Sequence, residues 1–177
     1  MKNRALLLAT VLAAVLATPA LASAQAPGHN FGLGLQLGDP GFAFGAKYFF
    51  DRSDAIQGTI GWRQPYYYGA QGPLITVDWQ HRVGTVGPRS GKVHVSFDVG
   101  VGGALGFMGD YCVRRWGSST CYNYNNDAEL ALRVPLAVSF YFPIPRLEAY
   151  VEFAPSLVVL PYFGPDLMGG IGGRFYF

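Results

Sequence analysis

Residues 93–107 read VHVSFDVGVGGALGF. Val93, Val95, Phe97, Val99, Val101, Leu105 and Phe107 take odd positions, and His94, Ser96, Asp98, Gly100, Gly102, Ala104 and Gly106 take even ones. Only Gly103 departs from the bulky odd set. Successive side chains of a strand point to opposite faces. One face is therefore bulky and apolar, the other small and polar. The stretch is too regular in its period of two, and too rich in glycine, for a helix.

The same alternation spreads outward into seven further stretches. They are predicted at Phe31–Leu37, Phe42–Phe50, Ala55–Tyr66, Leu74–Val83, Glu129–Phe142, Leu147–Val159 and Leu167–Phe177. Turn-forming runs separate several of them: Gly38-Asp39-Pro40-Gly41, Asp51-Arg52-Ser53-Asp54, Gly84 to Gly91, and Pro143-Ile144-Pro145-Arg146. The longest connection, Met108–Asp127, holds both cysteines. Eight strands of even spacing with no helical period predict an all-β, antiparallel up-and-down barrel.

Before this domain stands a leader. Lys2 and Arg4 precede an apolar run, Ala5–Leu16, and small residues at Ala20, Ala22, Ala24 and Ala26 offer cleavage sites. This reads as a secretory signal over residues 1–26, shorter in its apolar part than the ~20 residues of a spanning helix. The barrel domain then occupies residues 27–177. Without Lys2 and Arg4 the basic and acidic residues are equal in number, so the overall balance of +2 points to no nucleic-acid partner. Only 14% of the chain is charged while 15% is aromatic. Soluble domains carry about a quarter charged residues, so this chain has little surface meant for water.

A soluble carrier barrel alternates too, with apolar side chains inside. Three features favour the reverse facing in lipid. First, the polar parity is also the glycine, alanine and serine parity, which suits a narrow interior. Its charges are Lys47, Arg63, Asp78, Arg82, Asp98, Arg133, Glu148, Glu152 and Arg174. Within a bilayer, a charge on the lipid face costs roughly 2–4 kcal/mol at mid-depth. Nine of them would exceed the ~5–15 kcal/mol that holds a domain together. Inside, they can neutralise one another as an ion-pair network, with Arg133 and Arg174 on the strands flanking Glu148 and Glu152. An eight-stranded interior has room only for side chains, so a plugged lumen is expected.

Second, Tyr48-Phe49-Phe50, Phe140-Tyr141-Phe142 and Phe175-Tyr176-Phe177 end strands of one direction, as an aromatic girdle does. Tyr66-Tyr67-Tyr68, Phe107 and Tyr162-Phe163 are candidates for the opposite girdle. Third, an even strand count places the Met108–Asp127 loop on the side away from the termini. Bacterial barrels keep their long loops outside the cell.

These features resemble the small eight-stranded outer-membrane barrels of the OmpA and OmpX type. The ending Arg174-Phe175-Tyr176-Phe177 resembles the family's assembly signal, with Phe175 and Phe177 as its recognition residues. The opening Gly32-x-Gly34-x-x-x-Gly38-Asp39-Pro40, followed by Lys47-Tyr48, is similar to a poorly characterised branch of such barrels. The resemblance implies an outer-membrane location, contact with outer-membrane lipid, and delivery to the barrel-assembly machinery through the last strand. Members include structural anchors, adhesion proteins and a few lipid-modifying enzymes.

The residues offer little chemistry. Glu148 and Glu152 share a face but lie roughly 13 Å apart along a strand, and flanking arginines make structural pairing the better reading than acid–base work. His29, His81 and His94 all fall near the periplasmic end. His94 faces inward as a polar plug residue, and His81 sits on the lipid parity near the boundary. The glycine runs precede no helix and are not phosphate loops.

Cys112 and Cys121 read as a disulfide in an exported chain. A second ligand pair for zinc is missing, so no metal and no cofactor are expected. The loop around them carries Tyr111, Arg114, Arg115, Trp116, Tyr122 and Tyr124. Arg, Trp and Tyr are the usual anchors of interfaces, which makes this the expected site for an external protein or surface ligand. The reading is a non-enzymatic structural or surface-interaction barrel. The alternatives are a lipid-modifying enzyme, a narrow pore and a lipocalin-like soluble carrier.

Overall fold

The sheet closes on itself because its first and last strands pair. Gly32 to Asp39 run antiparallel to Tyr176 to Gly169. The structure is a computed structural model that describes residues 30–39, 41–63, 72–87, 93–107, 111–115, 118–122, 128–142, 146–161 and 163–177. The leader at 1–26, His29, Tyr66–Tyr68, Trp116, Tyr124 and Tyr162 lie outside the described residues.

The strands are β1 (Phe31–Asp39), β2 (Gly41–Phe49), β3 (Asp54–Arg63), β4 (Gly72–Val86), β5 (His94–Phe107), β6 (Tyr111–Arg115), β7 (Ser118–Tyr122), β8 (Ala128–Arg133), β9 (Leu136–Phe142), β10 (Leu147–Leu160) and β11 (Gly164–Tyr176). Each barrel strand is antiparallel to its neighbours. β8 and β9 both pair with β5 on one side and with β10 on the other, so together they make one stave. The result is an eight-stranded, closed, antiparallel barrel, with β6 and β7 forming a separate two-stranded hairpin. Among the described residues no helix is long and apolar enough to cross a membrane.

The break between β8 and β9 falls at Val134-Pro135, where proline has no N–H to give the ladder. The register nevertheless runs through. Gly102 faces Arg133 and Val99 faces Leu136 across β5, while Ser156 faces Arg133 and Phe153 faces Leu136 across β10. Backbone bonds from Gly100 N–H to the Pro135 carbonyl (2.8 Å) and from Val134 N–H to the Pro155 carbonyl (3.0 Å) bridge the gap. Parity is kept, so Leu132, Val134 and Leu136 all face out and Arg133 and Ala137 face in.

Several strand ends differ from the sequence reading. Gly84–Val86, expected in a turn, continue β4 and pair with Phe97–Val95 after a register shift between Arg82 and Gly84. That bulge absorbs the turn-like composition. The described part of β3 runs to Arg63, and residues 64–66 of the predicted strand lie outside the described residues. β11 starts at Gly164 rather than Leu167, which brings Asp166 into the wall. At the first turn Gly38 pairs with Gly41, whose φ of 51° is a conformation glycine adopts freely.

The exterior is apolar: Phe44 is 61% exposed and Ile171 57%. The interior is polar, with Lys47, Asp78, Asp98, Arg133, Glu148, Glu152 and Arg174 all buried. The apolar-interior arrangement of a soluble carrier is thus absent from the described barrel.

Candidate functional site

The lumen is filled in layers, starting at the end that carries the termini. The three aromatic clusters each split there. Phe49, Tyr141 and Tyr176, the middle residues, turn inward and form a buried cluster with Ala55. Their ring centroids lie 6.1 Å apart for Phe49–Tyr176 and for Tyr141–Tyr176. Tyr48, Phe50, Phe175 and Phe177 stay on the outside. The alternation that makes strands also forces this split. A run of three aromatic residues therefore supplies both a girdle and a plug.

Above the aromatic plug sits the first ionic layer. Lys47 Nζ donates to Asp98 Oδ2 at 2.9 Å and lies 3.8 Å from Glu148. Arg82 reaches Asp98 Oδ1 at 3.1 Å and donates to the Tyr141 hydroxyl at 2.7 Å. Glu148 accepts from Ser139 Oγ at 2.6 Å, from Arg174 at 3.3 Å and from the Tyr176 hydroxyl. Glu148 and Arg174 are direct cross-strand partners in the register. In the next layer Arg133 contacts Asp78 at 3.1 Å and pairs with Glu152, which also accepts from Gln57 at 2.7 Å. A charge buried without a counter-charge is expensive. Each inward charge predicted from the sequence has an opposite charge within ion-pair distance.

An apolar layer follows, made of Leu74, Ala104, Ala131, Ala154, Val158 and Met168. On β8 the inward order is Glu129, Ala131, Arg133, so this layer separates Arg133 from the mouth. At the mouth Arg63 gathers three carboxylates: Asp39 at 3.0 Å, Glu129 at 2.6 Å and Asp166 at 3.2 Å. Sequence reasoning assigned Arg63 to the lumen but missed these partners. Glu129 shares the odd parity of Arg133, which was the available signal. Asp39 and Asp166 stood in segments read as turn or loop.

Of the three histidines, His81 and His94 are among the described residues. His81 lies partly exposed at the terminus end, its Nδ1 2.9 Å from Asp54 Oδ1. His94 is partly buried. Glu148 and Glu152 face the lumen together, but cations and donors hold both. Among the described residues no group of three or more His, Cys, Asp or Glu is placed to hold a metal ion.

At the opposite end from the termini, the Met108–Asp127 loop contains the β6–β7 hairpin. Its register sets Tyr111 opposite Tyr122, Cys112 opposite Cys121 and Arg114 opposite Ser119. Directly opposed antiparallel residues have Cα atoms about 4.5–5.5 Å apart, within the ~4.4–6.8 Å that a disulfide spans. The hairpin was not anticipated, because Ser118–Tyr122 has no apolar alternation.

A solved structure shares this architecture. It is the crystal structure of the N-terminal β-barrel domain of Pseudomonas aeruginosa OprF. The TM-score is 0.55 at 14% identity, over 84% of this chain and 96% of that one. No family model and no curated protein matches the chain. The likeness fixes the fold in common, an eight-stranded barrel, and the functional argument rests on this chain's own residues.

Proposed function

We propose that the chain is an OmpA-like outer-membrane β-barrel protein, exported with residues 1–26 removed, in a non-enzymatic structural or surface-interaction role. The observation that carries this reading is the inside-out distribution of its side chains. Leu37, Phe44, Ile60, Val77 and Leu132 are more than half exposed, while Arg133, Arg174 and Glu148 are at most 2% exposed. Water would disfavour such an exterior. Hydrocarbon favours it, and a closed barrel satisfies every ladder bond without water.

The hairpin end, away from the termini, faces outward from the cell in this reading. Recognition is assigned to residues 108–127, with Tyr111, Arg114, Arg115, Trp116, Tyr122 and Tyr124 as contact residues. A Cys112–Cys121 bond stiffens them, which lowers the ordering cost of binding. The edge side chains Phe175 and Phe177 on the last strand serve delivery to the assembly machinery. The engagement of Glu148 and Glu152 by cations supports a role without catalysis.

Deleting Met108–Asp127 tests the assignment. The variant should keep the heat-modifiable gel mobility of a folded barrel in the outer-membrane fraction, and lose adhesion to whole-cell or matrix surfaces. Undiminished adhesion would remove the hairpin from the account. A mature chain recovered in detergent-free buffer would overturn the membrane location.

A further inference from the structure

The exposed apolar belt has a notch. Outward positions on β10 and β11 are Val151 and Ile171 at one level and Ala149 and Gly173 at the next, paired directly in the register. On either side of the small pair stand Phe140 of β9 and Leu35 of β1, opposite Ala149 and Gly173 respectively. Ile171 and Val151, 57% and 50% exposed, close one end. These six residues line most of a recess of about 560 Å³ in the outer wall. Its size is in the ~300–1,000 Å³ range of ligand sites. Beyond Gly173 the recess is open, since a Cβ built there meets only the Glu148 carbonyl, at 3.6 Å.

We propose that this recess is a binding site for one hydrocarbon chain of a bilayer lipid, held more tightly than the chains around the rest of the belt. The inference rests on the membrane reading above. The lining is almost wholly apolar, which suits an acyl chain and offers a headgroup nothing. The wall behind it is sealed by the buried lumen residues, so a ligand enters only sideways, from hydrocarbon. A second copy of the chain would present a convex wall of large side chains. Such a wall meets the Phe140 and Leu35 ridges before it reaches the Ala149–Gly173 floor. A lipid tail is thin and flexible enough to reach that floor and recover contacts that the missing side chains leave unmade.

The experiment uses the full mature chain refolded into phosphatidylethanolamine–phosphatidylglycerol vesicles containing a trace of phosphatidylcholine with a diazirine on its acyl chain. Adducts are mapped by mass spectrometry after irradiation. The expected result is adducts concentrated on Leu35, Phe140, Val151 and Ile171 over the opposite-wall residues Ile60 and Val77. Gly173→Leu has room for its Cβ, 3.6 Å from the Glu148 carbonyl, and extends the rest of its side chain into the recess. It should cut the groove adducts about tenfold, the loss of roughly two buried methylene contacts, and leave those on Ile60 and Val77 unchanged. Ala149→Leu should do the same from the neighbouring strand.

Even labelling around the belt, or no response to either variant, overturns the site while sparing the membrane reading. Protein–protein cross-links at Phe140 and Leu35 in place of lipid adducts overturn it in favour of a second copy. Absence of adducts on every face overturns the membrane reading and the site together.

Discussion

Tyr150 lies across Gly172, its direct register partner on the adjacent strand, inside the barrel. A Cβ built on Gly172 would come within 2.5 Å of Tyr150 Cζ. The Arg174 guanidinium lies over the ring, 3.8 Å from its centroid, and the Tyr150 hydroxyl donates to Gln36 at 3.1 Å. Tyr176 covers Gly32 of β1 in the same way, 2.8 Å from a Cβ built there. Aromatic rings thus fill the space that glycine leaves on both sides of β11, the strand that closes the barrel. This is the recognised remedy for glycine in a sheet.

Gly172→Val should press on both the Tyr150 ring and the Leu35 carbonyl, which lies 2.6 Å from the added Cβ, and cost at least about 1–3 kcal/mol, the usual penalty of overpacking. Tyr150→Ala should cost about 3–5 kcal/mol through the cavity it leaves. Urea titration of refolded protein, read by the midpoint of the heat-modifiable band, checks both. A smaller loss for the double variant than for the sum of the singles would show that the two residues act as one contact.

Arg133→Met should be among the most damaging single changes in the lumen. It strands Asp78 and Glu152 in a buried layer, at about 3–5 kcal/mol. Removing the charges together, as Arg133→Met with Asp78→Asn and Glu152→Gln, should restore most of that loss. The same urea titration reads it. A triple variant no more stable than the single one would mean that the layer is held by something other than charge balance.

Much of this lumen was legible in the chain, and the reason is periodicity. Parity alone sorted Asp98, Arg133 and Arg174 from Val95, Val138 and Ile171, because a strand leaves no third direction for a side chain. Pairings that depend on closure were not legible. Arg63 meets Asp39, Glu129 and Asp166 only after β3, β1, β8 and β11 curve round the same mouth. The β4 extension was hidden for a local reason. A bulge after Arg82 shifts parity by one, and Gly84-Thr85 then mimics a turn. The hairpin at Cys112 and Cys121 was hidden because Ser118-Ser119-Thr120-Cys121-Tyr122 carries no apolar alternation to read.

The layer of Leu74, Val158 and Met168 between the mouth cluster and Arg133 should keep the barrel closed to ions, since an apolar constriction excludes water and hence charge. Planar-bilayer recording of the wild-type protein should show no steady conductance. Leu74→Ser combined with Met168→Ser should introduce small, persistent steps while the folded band remains. Equal conductance in both proteins would place the ion barrier elsewhere, in the aromatic plug of Phe49, Tyr141 and Tyr176.

The central claim, that lipid touches one parity of the strands, is tested most directly along β5. Single bimane-labelled cysteines at positions 97 to 102, in a C112S/C121S background, are refolded into vesicles carrying a nitroxide on the lipid tail. Strong quenching at positions 97, 99 and 101, with weak quenching at 98, 100 and 102, is the predicted result. Uniform quenching, or strong quenching at the positions of Asp98 and Gly102 instead, would contradict the account.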